Sequence, residues 1–536
     1  MRVSYACLVT GSAALTAGRI CGLRELPGLR FTDNLIPGIH FRKENKKMKK
    51  TAKIISLILA SLMLLLAAAS CAEEKKPEDT LPVADTTAET PESTADGRYD
   101  EEGYLKDSLD EKYELGGEIS LLYWSDVENP EFEILESNGD LVDEALFARD
   151  SRVQDRLGVE IAYSSTPGNV NNVTNYTNYV QNAYKTGEPL DICAAYSMTI
   201  ANISTLGLCS NLLEESVIDF EKPWWPDDLV NETTINGKLF FASGDISTNL
   251  LYMMYTVYFN KEIISEYKLD NPYTLIANNE WTFDKFYEMG MAVGDSVTPG
   301  ADNAVYGMSL LSNVHTDPFF YGAGLRTVSK GADGVPVLAE SFGSETADRI
   351  VEAANGFLTS QATVISSSPD YFTVGKALFT MHRSVYAKTK LVSTDLDFGI
   401  AVTPKDGKDQ ESYATCLAFP VSLYAISSGS ERKSDAALLL EAMASEGYRT
   451  VTPQLFEVSM KVKYANDSET AQMFDLIRDT VVFDLGRLYT TALNKRTYQL
   501  FRNAMNAATY SSYQVQYNGE KKVLQKNLDK LIECFN

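Results

Sequence analysis

Between residues 118 and 195 the chain alternates short apolar runs with amphipathic stretches, and this rhythm limits the fold more than any other feature of the sequence. Glu118–Trp124 (EISLLYW) reads as a strand. Leu141–Leu157 reads as a helix whose apolar side carries Val142, Leu146, Val153 and Leu157, and Val159–Tyr163 as the next strand. Asn175–Lys185 is then helical and Leu190–Ala195 a strand. Strands separated by helices of this length build βαβ units, whose parallel sheet is covered on both faces. The class is therefore α/β. About 420 residues follow Gly116, too many for one core, which points to two domains. In open α/β sheets ligands lie beyond the carboxyl ends of the strands. Trp124-Ser125-Asp126 and Tyr196-Ser197 stand at two such exits.

The run Met48–Cys71 (MKKTAKIISLILASLMLLLAAASC) has a different character. Lys49, Lys50 and Lys53 precede the apolar stretch Ile54–Ala69, which ends in small residues and a cysteine. This is the layout of a secretory signal. A cysteine directly after Ala68-Ala69-Ser70 makes it similar to a bacterial lipoprotein signal, with Cys71 as the lipidated residue. The alternatives are an ordinary signal peptide or a short anchor; the apolar stretch falls somewhat below the roughly 20 residues a spanning helix requires. Met48 is read as the initiator and residues 1–47 as an upstream extension outside the fold, with 48–70 the signal peptide. Residues 72–112 are rich in acidic residues, Pro and Thr and poor in bulky apolar groups, so 71–115 reads as a lipidated cysteine followed by a disordered acidic linker. Everything after Cys71 is then expected on the extracytoplasmic face of the cell membrane, held to the lipid bilayer through an acyl anchor.

Residues 1–70 contain 11 of the 48 Lys/Arg and 3 of the 73 Asp/Glu, so the remainder carries 37 basic and 70 acidic residues, a formal charge of −33. That surface repels phosphates and argues against nucleic acid as a partner. After Cys71 only Cys193, Cys209, Cys416 and Cys534 remain, without framework-like or metal-like spacing. Cys193 and Cys209 pair or stay buried as free thiols. The only histidines in this part are His315 and His382, too few for a His-rich metal site, and no G-x-S-x-G, P-loop or H-E-x-x-H motif occurs. No cofactor or metal is expected.

Five further segments follow in order: Asn236-Gly237-Lys238-Leu239-Phe240-Phe241; Tyr258-Phe259-Asn260-Lys261; Glu280-Trp281-Thr282-Phe283-Asp284; Val374-Gly375-Lys376-Ala377-Leu378-Phe379-Thr380-Met381; and Phe398-Gly399-Ile400-Ala401-Val402-Thr403-Pro404. Together they resemble the extracellular solute-binding proteins of ABC importers, in the sugar-binding branch that includes maltose-binding protein. The resemblance covers nearly all of residues 116–536. It implies a periplasmic-binding-protein-like fold: two α/β lobes joined by a hinge, with a ligand cleft between them. Lobe 1 would comprise 116–248 and 423–474, and lobe 2 249–422 and 475–536. Each segment also has a local reading. Asn236-Gly237 suits a hairpin turn, Thr282 an N-cap, and Lys376 the opening of a strand over Ala377–Met381.

A sugar cleft needs aromatic faces together with carboxylates, amides and arginines. The candidates for ligand contact are Trp124, Ser125 and Asp126 at one strand exit and Tyr196 and Ser197 at another. Asp245 enters the interlobe crossover, and otherwise caps a turn. Arg383 follows the apolar run Ala377–Met381, and alternatively pairs with an acidic residue. Tyr321 (in FFYGAGL) and Asp484 and Arg487 (in FDLGRLY) complete the set. Trp224-Trp225, flanked by prolines, and Trp281 read as packing residues.

The resemblance implies a monomer that captures a mono- or oligosaccharide and hands it to ABC permease subunits, without enzymatic activity of its own. Rival readings are a ligand-sensing subunit for a membrane kinase, a binder of a peptide or other polar solute, and, last, a surface glycoside-active enzyme.

Overall fold

The computed structural model describes residues 98–134, 139–294, 297–455 and 468–536. The signal-like run Met48–Cys71, including Cys71, and residues 1–47 lie outside this range. Among the described residues, no helix is long and apolar enough to cross a membrane.

The expected alternation is present. β1 (Glu118–Trp124), β2 (Glu160–Thr166) and β3 (Ile192–Tyr196) lie side by side in parallel, with β1 in the middle. The helix Leu141–Leu157 connects the first two; Asp140 accepts from the Val142 amide at its start and Gly158 closes it in the left-handed conformation. Its buried side includes Val142, Leu146, Val153 and Leu157. Ser422–Ile426 returns from far along the chain and pairs antiparallel with β3, completing a four-stranded sheet.

The second sheet is mixed. It holds β4 (Tyr255–Asn260), β5 (Tyr306–Leu310), β8 (Thr363–Ile365), β9 (Ala377–Arg383) and β10 (Phe398–Ala401), once the small hairpin β6 (Val328–Lys330) and β7 (Pro336–Leu338) is set apart. β4 pairs antiparallel with both β9 and β10, whereas β5 runs parallel to β8 and β9. The parallel pairing expected of the strands in residues 118–195 is that of β1–β3, and the second sheet follows a different pattern. The apolar run 250–259 also divides, into a short helix Thr248–Tyr252 and strand β4. Phe286 stacks on Phe379 with ring centres 4.5 Å apart, and Trp281 gives its indole N–H to the Val402 carbonyl.

The chain passes between the two sheets through residues 243–254 and 415–422. Glu131, 1% exposed, grips both passages: its carboxylate accepts from Ser247 Oγ, Thr248 Oγ1, the Asn249 amide and Ser422 Oγ. A third passage runs at β13 (Val481–Val482), which pairs in parallel with β11 (Thr415–Cys416) of the second. The last helix, Tyr513–Glu533, begins with the Tyr513 hydroxyl on the Phe342 carbonyl beside the second sheet. It ends at the first lobe, where Phe535 meets Phe240 and Lys238 Nζ bonds the Asn536 carbonyl at 2.7 Å. The receiving turn is the expected one, with Asn236 at φ 51° and Gly237 at φ 72°.

One boundary needs correction. Residues 98–112 were expected to belong to a disordered linker, yet they are packed against the first lobe. The side chain of Asp107 is 3% exposed and takes a fork from Arg156 at 2.7 and 2.9 Å, joined by Arg449 at 3.3 Å and Ser445 Oγ. The Tyr113 and Leu115 amides bond the Arg156 and Leu157 carbonyls. Composition describes the segment's low apolar content but misses a single buried carboxylate that finds two guanidinium partners.

Candidate functional site

The exits of β1 and β3 are shaped by polar ties rather than by apolar packing alone. Asp126 accepts from the Gly168 and Asn169 amides and from Asn172 Nδ2, folding the loop after β2 back over the strand ends. Gly168 is required there, because a Cβ would come within 2.8 Å of the Tyr176 ring and 2.9 Å of Trp124 Cβ. Trp124 is wholly enclosed, and its indole N–H donates to Ser422 Oγ. Tyr196 packs edge-on against it, with ring centres 5.6 Å apart. Ser197 Oγ donates to the Phe419 carbonyl, tying the β3 exit to the passage between lobes.

From the second lobe, β4 starts at Tyr255 and β9 ends at Arg383 on the neighbouring register position. The Tyr255 hydroxyl donates to the Val314 carbonyl. Arg383 Nη1 forms an ion pair with Glu128, which belongs to the first lobe's β1 exit. Deeper in, the Asp317 side chain, 1% exposed, receives Arg487 Nη1 at 2.8 Å and Arg502 Nε and Nη2 at 2.8 and 2.6 Å. Burial alone would raise its pKa, but the two guanidiniums outweigh that and hold the carboxyl below its ordinary value. Arg502 also lies over the Tyr498 ring at 4.4 Å, and Arg487 over Phe419 at 3.8 Å.

These groups enclose a cavity of about 330 Å³. Its walls come from the first lobe (Tyr196, Met198), the second (Tyr255, Arg383, Arg502) and the passage at Phe419. The volume is at the small end of the range for ligand sites, with aromatic faces and a few convergent polar groups. On its floor lies His315, stacked on His382 behind it with centres 4.2 Å apart, and neither Nδ1 has a partner. Burial pushes His315 down to about 3 and holds His382 well below its ordinary value.

Of the residues singled out from sequence, the structure brings Tyr196 and Arg383 together on this cavity. Ser197, Asp484 and Arg487 line a small void of about 20 Å³ next to it, which shares Ala418 and Phe419 with the cavity wall. Asp484 there caps the turn Leu485–Leu488 and accepts from the Thr327 amide and hydroxyl. Tyr321 is buried beneath Arg487, whose guanidinium stands 5.3 Å from its ring. Trp124 and Asp126 act one layer behind the wall, as support, and Ser125 is exposed with its amide on the Thr166 carbonyl. Asp245 is elsewhere: it accepts from Thr452 Oγ1 at 2.6 Å, faces Arg478 at 3.6 Å, and lines a separate cavity of about 300 Å³ with Trp224 and Asp227. Trp224 and Trp225 are buried and both give their indole N–H to Glu441. Cys193 and Cys209 are buried free thiols.

Sequence reasoning passed over Glu128, Tyr255, Asp317, Phe419, Tyr498 and Arg502. Tyr255 lies within the apolar run 250–259, and Glu128 is one carboxylate among many. Asp317 carried a usable signal, since it lies in the same TDPFFYG segment that marked Tyr321.

No protein-family model matches the chain, and no curated protein matches its sequence. Solved structures do match its fold. The galacto-N-biose/lacto-N-biose I-binding protein of a Bifidobacterium longum ABC transporter, in complex with lacto-N-biose, has a TM-score of 0.52 at 13% identity, over 78% of this chain and 97% of that one. The cyclic α-maltosyl-1,6-maltose binding protein of Arthrobacter globiformis has a TM-score of 0.51 at 16% identity, over 78% and 97%. UgpB of Mycobacterium tuberculosis, in complex with glycerophosphocholine, has a TM-score of 0.51 at 15% identity, over 78% and 100%. At these identities the likeness establishes the fold: two α/β lobes of the periplasmic-binding-protein type.

Proposed function

We propose that this chain, with the two-lobed fold of solute-binding proteins, captures a saccharide between its lobes and delivers it to the permease of an ABC importer. The observation that carries this reading is the cavity at Tyr196, Tyr255, Arg383 and Phe419, whose walls come from both lobes and the passage joining them. A ligand that touches both lobes favours the closed arrangement by its differential affinity for it. Tyr196, Tyr255, Phe419 and Tyr498 offer ring faces for the apolar side of a pyranose, and Arg383 and Arg502 offer planar donor forks for its oxygens. Transport energy comes from a separate ATPase, and this chain carries out no chemistry. Lipidation at Cys71 would hold it on the extracytoplasmic face of the membrane, with residues 116–248 and 423–474 forming one lobe and 249–422 and 475–536 the other.

A thermal-shift screen of the purified protein against saccharides and peptides tests capture. A ligand at 100 times its Kd adds about 2.7 kcal/mol to stability, so a bound sugar raises the melting temperature by several degrees. No shift with any sugar at millimolar concentration, or a shift with peptides alone, overturns the saccharide reading. Labelling with a lipid precursor tests the anchor: Cys71→Ala abolishes the label, and label that persists refutes the assignment.

A further inference from the structure

We propose that the interlobe cavity is built for an acidic saccharide, one bearing a carboxylate that the Arg383 fork receives with Arg502 beside it; this rests on the reading of the cavity as the capture site. The argument is a balance of hydrogen-bonding groups. The two carboxylates at the cavity already have partners: Asp317 takes three N–H bonds from two guanidiniums, and Glu128 is paired with Arg383. The Tyr255 hydroxyl gives its proton to the Val314 carbonyl and keeps only acceptor capacity. The guanidiniums at the cavity still hold uncommitted donors. Arg383 Nε is buried without a partner. Arg502 commits only Nε and Nη2 to Asp317. No asparagine or glutamine lines the cavity to exchange donor for acceptor.

A neutral sugar can bond the Tyr196, Tyr498 and Ser312 hydroxyls on the wall, but its hydroxyls offer only neutral partners to the Arg383 guanidinium. A carboxylate only accepts, and its two oxygens match the planar guanidinium fork. An unmet buried donor is costly, so the unpartnered Arg383 Nε favours a ligand that supplies an acceptor to it. Glu128 shows where that carboxylate would sit. Its side chain is 47% exposed, comes from the opposite lobe, and pairs with Nη1 of Arg383. A ligand carboxylate at the same fork displaces a rim residue that water can readily solvate. The chain's overall acidity does not oppose this, because charges beyond about 8 Å are screened at physiological salt.

The test is calorimetric titration of the full chain with three kinds of probe: unsulfated hyaluronate and pectin disaccharides, their carboxyl methyl esters, and neutral disaccharides. A sulfated chondroitin disaccharide separates carboxylate from sulfate recognition. The expected result is an acidic disaccharide binding at least tenfold more tightly than its own ester, with affinity falling as salt rises. Arg383→Gln removes the preference for acid over ester, and Arg383→Lys, which keeps the charge but not the fork, recovers only part of it. Glu128→Gln raises acid affinity by removing the competitor, an outcome that a merely structural role for the pair does not give. Equal binding of acid and ester, tighter binding of a neutral sugar, binding of the sulfated probe alone, or an unchanged ratio in Arg383→Gln overturns the proposal while leaving saccharide capture intact. Binding by no member of the panel overturns both.

Discussion

Replacing Asp317 by alanine removes the group on which the cavity's deep wall depends. The carboxylate is 1% exposed and receives three N–H bonds, at 2.8, 2.8 and 2.6 Å, from Arg487 and Arg502. Without it two guanidiniums face one another in a dry site. Breaking one side of a buried ion pair costs about 3–5 kcal/mol, much of it from the charge left unpaired. For a lobe of this size each kcal/mol moves the melting temperature by about 2–4 °C, so Asp317→Ala is expected to melt about 6–20 °C below wild type at pH 7. Asp317→Asn keeps the shape and one acceptor and should lose less. The pH dependence gives an independent check. The folded carboxyl has a lowered pKa, so its contribution is fully present above the unfolded value near 3.9 and is lost as pH falls through the folded value. The gap between wild type and Asp317→Asn should therefore narrow below about pH 4. Differential scanning fluorimetry from pH 3 to 8 measures both effects. A melting temperature for Asp317→Ala within 1 °C of wild type at pH 7, or a gap to Asp317→Asn that is the same at pH 3 and pH 7, refutes the reasoning.

Other expectations follow from particular contacts. His315 and His382 are buried with depressed pKa values, so the native state binds fewer protons than the unfolded chain once pH drops below about 6.5. Stability should fall with pH from there, by up to about 1.4 kcal/mol per unit for each histidine, and His315→Gln/His382→Gln should flatten the melting profile between pH 6.5 and 4. Asp107→Ala frees two guanidiniums and should release residues 98–115 from the first lobe, read as new protease cleavage before Gly116 with the remaining body intact. Glu441→Ala leaves two buried indole N–H groups unpaired and should shift tryptophan emission as well as lower stability by a few kcal/mol.

The elements most plainly written in the sequence are those whose burial is periodic. β1 and the helix after it fall within a few residues of expectation because periodic burial leaves a periodic apolar pattern, and β3, buried throughout, because its short apolar run stands out from its flanks. The Asn236-Gly237 turn was legible because few residues tolerate positive φ, and the Thr282 cap, whose hydroxyl accepts from the Lys285 amide, because few side chains can satisfy a helix's first amides. Strand direction in the second sheet was not legible, since β4 carries the same apolar run whether it pairs parallel or antiparallel. The cavity was legible only in part. Tyr196 and Arg383 stand at strand ends, where the fold class itself directs attention, whereas Phe419, Tyr498 and Arg502 reach the cavity from a passage and a late helix that only the tertiary fold brings near. Trp124 at its strand exit looked like ligand surface, yet it lies behind the wall because Gly168 lets the next loop close over it.

Hydrogen exchange with and without the tightest-binding saccharide of the panel tests most directly where the solute sits. If it is held between the lobes, protection should rise together in peptides containing Tyr196, Asp317 and Phe419, one from each wall and one from the passage, and stay unchanged around Trp224 and Arg478 at the separate cavity. Protection confined to one lobe, or appearing at Trp224 and Arg478, would contradict capture at this cavity.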